Sequence, residues 1–305
     1  MALFSRFSIT INGFIFFLFM ILLKFAAISS SIPFVVLHGI GSSCSNHDTQ
    51  NLTQELIIHS RSPGHCIEVG DGIWSSWFTP MHKQVEIVCE KVKNIKELEN
   101  GYNLVALSQG NLIARGIIQL CDGGPPVKNY VSLAGPHAGI VAPPLCGSNS
   151  LCSFEDTLIR FDVYSEFVQA HLAPSGYMKL PNNMMGYLSG CKFLPMLNNE
   201  ISNQRNSTYK IRFSSLQNLV LIMFENDEVL VPKETSWFGF YPDGQYQPVL
   251  QPEKTKLYEE DWIGLKMLAE SGRVQYIMVG GSHIDLSHND MIRYVVPYLK
   301  TRELI

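Results

Sequence analysis

The stretch that decides the fold reads Asn103-Leu104-Val105-Ala106-Leu107-Ser108-Gln109-Gly110-Asn111-Leu112. After Asn103, Leu104–Leu107 form a short apolar run, the pattern of a buried strand. From Leu112 to Cys121 the apolar residues take helical spacing. Strand and helix therefore meet at Ser108, with the small residues Ala106 and Gly110 two positions to either side. A tight strand-to-helix turn of this kind lifts a serine hydroxyl above the end of a sheet, and bulky neighbours at those two positions would strike the adjoining strand or helix. A serine at such a point can also be a plain helix cap, so the rest of the chain decides between the two.

Upstream, Pro33–Leu37 is a second apolar run, closed by His38-Gly39-Ile40-Gly41. Asp48–Ser60 and Met81–Val92 have helical spacing, and Cys66–Val69 suits a short strand. Downstream, Tyr130–Ala134, Asn218–Phe224 and Val274–Val279 read as strands, and Trp262–Ala269 and Asp290–Leu299 as helices. Strands alternating with helices across glycine-bearing junctions predict an α/β fold, with a mostly parallel central sheet and helices on both faces. From Pro136 to about Arg212 the alternation breaks into prolines, methionines and asparagines. That segment is expected to be a partly helical insertion over the sheet edge, with a helix over Glu155–Leu172, inside one domain running from 32 to 305.

A nucleophilic serine needs a base and a group to orient that base. In α/β-hydrolases these follow in the order serine, acid, histidine. The last third of the chain contains two histidines, His283 and His288. His283 stands in Gly280-Gly281-Ser282-His283, directly after a predicted strand, and is the expected base; His288 lies further along. Asp227 follows Asn218–Phe224 and is the expected acid, with Glu225 and Glu228 as competitors and Asp243 and Asp261 later and less well placed. The amide of Gln109, at a helix N-terminus, and the amide of Ile40, in the glycine turn after the first strand, are the expected oxyanion donors. This chemistry requires no metal and no organic cofactor.

Composition narrows the setting. The chain has 305 residues, a net charge of −4 and 16% charged residues. No basic patch suits a phosphate backbone, so nucleic acid is excluded as a partner. Arg6, the apolar run Phe14–Leu23, Lys24 and then Ala26, Ala27 and Ser29–Ser31 read as a signal peptide over 1–31, cleaved between Ala27 and Ile32. The run is short for a membrane span, which takes about 20 residues, so no span is expected in the mature chain. All seven cysteines follow it, and in an oxidising compartment disulfides are expected. Cys146 and Cys152 are close enough for a small clip, while Cys89 and Cys121 lie near the ends of two predicted helices. No Cys-x-x-Cys pair occurs, and the cysteines do not take paired-ligand spacing with histidines, so no zinc site is expected. Asn51-Leu52-Thr53 and Asn206-Ser207-Thr208 are N-glycosylation sequons.

With these residues in place, the chain resembles the palmitoyl-protein thioesterase family of the lysosomal type, within the α/β-hydrolase superfamily. The resemblance runs from about Pro33 to Leu299. It is carried by His38-Gly39-Ile40-Gly41 with Cys44, by Gly101-Tyr102-Asn103 leading into Ser108-Gln109-Gly110, and by Asn226-Asp227 followed by Trp237-Phe238-Gly239-Phe240-Tyr241. Thr255-Lys256-Leu257-Tyr258 and Gly264-Leu265-Lys266 extend it. It implies a catalytic triad of Ser108, Asp227 and His283, oxyanion donors at Ile40 and Gln109, and removal of palmitate from cysteine thioesters of S-acylated proteins or peptides. It further implies a lysosomal, vacuolar or secreted location and disulfides Cys89–Cys121 and Cys146–Cys152.

Ala106 and Asn111 stand where the family carries glycine, and are expected to reshape the pocket. Cys44 is followed by Ser45, so no vicinal disulfide forms there; Cys44, Cys66 and Cys191 stay open, with Cys44–Cys66 as one pairing. An acyl groove is expected between the sheet edge and residues 140–212, with Phe161, Val168, Leu172, Met184, Met185, Tyr187 and Leu188 either lining it or forming the insertion's own core. Trp237 and Phe238 carry the same two readings. Two rival functions share these features. An oxygen-ester hydrolase or lipase uses the same triad and differs in the bond it cleaves, and a non-catalytic lipid-binding homologue is expected to lack a triad member.

Overall fold

The computed structural model of the protein describes residues 31–142 and 162–300. The expected signal segment, the Cys146–Cys152 pair, Phe161 and the first part of the helix expected over Glu155–Leu172 lie outside the described residues.

Six strands form one sheet: β1 (Phe34–Leu37), β2 (Gly64–Cys66), β3 (Tyr102–Leu107), β4 (Val127–Leu133), β5 (Asn218–Phe224) and β6 (Val274–Val279). Their order is β2-β1-β3-β4-β5-β6, and every pairing is parallel. The central strands are apolar on both faces because both are covered: all four residues of β1 are buried, and β5 is buried from Leu219 to Phe224. The chain leaves β1 toward β2 on one side and β3 lies on the other. Strand order therefore reverses at β1, and in open α/β sheets a ligand crevice forms at such a point, outside the carboxyl ends of the strands. Leu37 pairs with Ala106 and Leu107 with Leu133, which brings the exits of β1, β3 and β4 to one level. This is the α/β-hydrolase arrangement.

Four helices bear on that edge: α1 (His47–Ser60), α2 (Ile73–Phe78), α3 (Met81–Asn94) and α4 (Gly110–Leu120). Asn46 caps α1 by accepting from the Asp48 amide. The buried stripe of α3 is Met81, Val85, Val88 and Val92, at the spacing read from the sequence. Helix α4 packs against it at Gly116, where a Cβ would come within 2.3 Å of the Val85 side chain.

Several boundaries differ from expectation for identifiable reasons. The short strand is Gly64–Cys66, not Cys66–Val69, because it pairs with β1 from Phe34↔Gly64 onward. Within the described part of Glu155–Leu172 the helix spans Glu166–His171, opened by the Ser165 cap. Trp262–Ala269 is broken by Gly264 at φ +86°, so the helix is Leu265–Glu270. The final helix starts at His288 and passes through wide and tight turns to Tyr298, where Pro297 removes a helical donor.

Two disulfides close the half of the sheet that carries β1 to β3. Cys44–Cys66 ties the turn after β1 to the end of β2, and Cys89–Cys121 ties α3 to the cap of α4. With 22 and 32 residues enclosed, each removes on the order of 3–4 kcal/mol of unfolded-chain freedom in the loop-closure account. Cys191 is a free, buried thiol.

Arg115 of α4 is fully buried beneath the segment that follows β4. It donates to the carbonyls of His137 (3.0 Å) and Leu197 (3.2 Å) and lies 4.9 Å from the centre of the Phe238 ring. His137, also fully buried, stacks on Phe238 at 4.5 Å and shares a hydrogen bond with Ser132 Oγ. Burial, reinforced by the Arg115 charge, holds the His137 pKa well below its ordinary value. The folded state thus keeps this ring neutral at pH values where the unfolded chain binds a proton. Stability is then present above the unfolded pKa of about 6.5 and is lost as pH falls below it, at up to about 1.4 kcal/mol per pH unit from this residue. Urea denaturation between pH 7 and 5 is expected to show this decline, and His137→Gln to flatten it.

Candidate active site

Three side chains from three strand exits meet at the carboxyl edge of the sheet. Ser108 follows β3 with φ +49°, a left-handed conformation that a non-glycine residue holds only under restraint. The restraint is visible on both sides. The Ser108 amide donates to Leu133 O (2.9 Å). Asn111, the fully buried second residue of α4, donates through Nδ2 to Ser108 O (3.0 Å) and Leu133 O (2.9 Å), and its Oδ1 accepts from Tyr130 Oη (2.8 Å). Gly110 is required by close approach, since a Cβ there would lie 2.5 Å from His38 O.

His283, in the loop after β6, places Nε2 2.9 Å from Ser108 Oγ. Its Nδ1 lies 2.7 Å from Asp227 Oδ2. Asp227 follows β5; its side chain is completely buried, and Oδ1 accepts from the amides of Val229 (2.9 Å) and Leu230 (3.0 Å). One carboxylate oxygen is therefore committed to the backbone and the other to the ring, which fixes the imidazole with Nε2 toward the hydroxyl. The structure joins His283, and not His288, to Ser108. It joins Asp227, and not Glu225, Glu228, Asp243 or Asp261, to His283.

The two amides expected to receive an oxyanion flank the serine. Ile40 lines the same cavity as Ser108, and a Cβ on neighbouring Gly39 would touch Ser108 Cβ at 3.0 Å. Gln109 begins α4, whose N-terminal amides face the turn. Among the described residues, neither the Ile40 nor the Gln109 amide has an acceptor. Both loops are anchored on α2. Gly41 N donates to Ser76 Oγ (2.8 Å), and Gln109 Nε2 donates to Ser76 O (2.7 Å) while its Oε1 accepts from Tyr177 Oη (2.9 Å). His38, whose pKa burial lowers, turns Nδ1 to Gly39 O (2.8 Å) beside Glu68. The sequence reading passed over Ser76 and Tyr177, because bonds to a serine carbonyl and a distant hydroxyl leave no motif.

A cavity of about 850 Å³ opens over Ser108 and His283. Its apolar wall comes from Ile40, Trp77, Leu133, Val229, Leu286 and Met291. The expected lining from the insertion is corrected for the described residues. Val168 and Tyr187 are core, Met185 is exposed, and Met184 and Leu188 line a separate cavity with Phe238 and Phe240. Trp237 and Phe238 pack inside, Trp237 donating to Leu221 O and Phe238 stacking on His137. Neither Ala106 nor Asn111 lines the cavity, Ala106 being buried in β3 and Asn111 beneath the serine turn.

Residues 33–283 match the family model described as palmitoyl protein thioesterase. The chain is 36% identical to palmitoyl-protein thioesterase 1 of Caenorhabditis elegans over 281 residues, which cover 90% of this chain and 93% of the relative. It is 32% identical to palmitoyl-protein thioesterase 3 of Dictyostelium discoideum over 288 residues, 92% and 96% of the two chains. The lysosomal thioesterase PPT2 homolog of Drosophila melanogaster is 28% identical over 295 residues, covering 91% and 96%.

The clamp under Ser108 has a measurable stability. Asn111→Gly leaves two carbonyls and the Tyr130 hydroxyl short of a partner and puts glycine inside a helix. It is expected to lower unfolding free energy by roughly 2–4 kcal/mol, read from urea midpoints at unchanged slope.

Proposed function

The chain belongs to the palmitoyl protein thioesterase family, and on that footing we propose that it hydrolyses long-chain acyl thioesters through Ser108, His283 and Asp227. The observation that carries the reading is the continuous pair of hydrogen bonds from hydroxyl to imidazole to buried carboxylate, 2.9 and 2.7 Å.

In the proposed reaction His283 Nε2 takes the proton of Ser108 as Oγ attacks the acyl carbon. The carbonyl oxygen gains negative charge and is held by the amides of Ile40 and Gln109, with the N-terminus of α4 adding to the field. The tetrahedral intermediate expels the cysteine sulfur, which receives the proton from His283. Water, deprotonated by the same ring, then attacks the acyl-enzyme and releases the fatty acid. Asp227 holds the ring's orientation and offsets its charge while it is protonated.

The acyl chain is assigned to the cavity walled by Trp77, Leu286 and Met291. Each methylene buried there contributes about 0.8 kcal/mol. The finer substrate, an S-acylated protein or peptide, rests on the relatives named palmitoyl-protein thioesterase, and a lysosomal location on those named lysosomal thioesterase. Two disulfides support an oxidising compartment. The exposed sequon residues Asn51 and Asn206 suit glycans there.

Ser108→Ala is expected to reduce palmitoyl-thioester turnover by about 10⁴-fold or more while the thermal midpoint holds. A fluorophosphonate should label the parent protein and not the variant. Retained turnover in Ser108→Ala would refute the nucleophile, and faster cleavage of the matching palmitate oxygen ester would favour the lipase reading. Across acyl lengths, kcat/KM is expected to climb by up to about fourfold per methylene until the cavity fills, and Trp77→Ala to flatten that climb.

A further inference from the structure

Glu55 and His288 line the same cavity, and His59 stands beside them. The catalytic reading uses none of them. Glu55 and His59 are four residues apart on α1, so they project from one face of the helix. His288 opens the final helix, five residues beyond His283 in the chain.

Glu55 Oε2 lies 3.3 Å from His59 Nε2 and 3.4 Å from His288 Nδ1, and the three donor atoms all fall within 4.8 Å of one another. The two rings meet edge to face at 5.2 Å. A charge-assisted hydrogen bond between imidazole and carboxylate would draw in to about 2.7–2.9 Å, as His283 and Asp227 do at 2.7 Å. Both Glu55 separations are longer than that. These two separations match the edge of a tetrahedron whose centre binds nitrogen and oxygen at about 2.0–2.1 Å, an edge of about 3.3–3.4 Å, and the two ring nitrogens lie within 4.8 Å of each other.

We propose that Glu55, His59 and His288 bind one zinc ion or a similar divalent transition metal. Two imidazoles and a carboxylate suit zinc, nickel or copper, whereas calcium and magnesium take oxygen-rich shells. Three protein ligands leave a fourth position for water or an incoming donor atom. The ion plays no part in the acyl-transfer steps. It bridges α1 to the segment that carries His283, so its occupancy stiffens one wall of the cavity and stabilises the folded chain by mass action.

The test is titration of zinc into the chelator-treated full-length protein, followed by calorimetry and by the thermal midpoint. One ion is expected to bind with micromolar affinity and to raise the midpoint, and magnesium at equal concentration to do neither. Cobalt in place of zinc should give the strong visible bands of a four- or five-coordinate ion. Glu55→Gln and His288→Asn should each weaken zinc binding by about tenfold or more, with midpoints of the metal-free variants equal to that of the parent. Both side chains are substantially exposed, and His59→Gln replaces either variant that fails to fold. No binding at millimolar zinc, or binding that these substitutions leave unchanged, overturns the proposal. These readouts do not depend on Ser108, so they stand or fall apart from the hydrolase reading.

Discussion

One backbone carbonyl at the end of β4, that of Leu133, accepts from both the Ser108 amide and the Asn111 side chain. The geometry of the whole site rests on that pair of bonds. Ser108 occupies a left-handed conformation that costs on the order of 1–3 kcal/mol outside glycine, and it persists because neighbouring atoms leave the turn no alternative. Parallel pairing makes this possible. Only a parallel ladder brings the exits of β1, β3 and β4 together, so that the turn after one strand finds an acceptor at the end of the next.

The same edge explains how distant residues reach Ser108. Asp227 and His283 leave β5 and β6, which pair in parallel with each other along their length. The Asn226 amide donates to Gly281 O, locking the two loops together just before each delivers its side chain. On the other side, Ser76 takes the Gly41 amide on its hydroxyl and the Gln109 amide group on its carbonyl. A six-residue helix whose one buried residue is Ser76 thereby sets the spacing between two loops that come from β1 and β3.

Much of this was legible in the sequence, and the reason is periodicity. Strands β5 and β6 match the sequence expectation to the residue, because β5 is an apolar run after Asn218 and β6 is a short β-branched and aromatic stretch stopped by Gly280-Gly281. The convergence of Ser108, Asp227 and His283 followed from where each stands relative to a strand exit. What stayed hidden depends on directions that no pattern encodes. Asn111 was noticed as a departure from glycine and assigned to the pocket. Its side chain instead points beneath the turn, toward carbonyls whose position only the folded sheet supplies. A groove is expected between the sheet edge and the insertion, yet none of the insertion's described residues lines the cavity over Ser108. The wall that faces Ser108 comes from α1, α2, the final helix, the ends of β3 and β4 and the loops after β1, β5 and β6, segments far apart in the chain.

The cysteines show the same separation between composition and placement. Both disulfides among the described residues fall on the half of the sheet that carries the serine turn. The loop bearing His283 has none and relies on backbone pairing and on Asp227. An odd thiol beside two disulfides is normally a hazard, since a thiolate can attack and reshuffle them. Cys191 is shielded from that chemistry by its surroundings. It is buried, its sulfur lies against the carbonyls of Ser175 and Gly176, and burial pushes its pKa up to about 12. Almost none of it is thiolate at neutral or acidic pH, and exchange requires the thiolate. Both disulfides can therefore persist beside this unpaired cysteine in the chain's interior, and the serine turn keeps its bracing under the conditions where disulfides form.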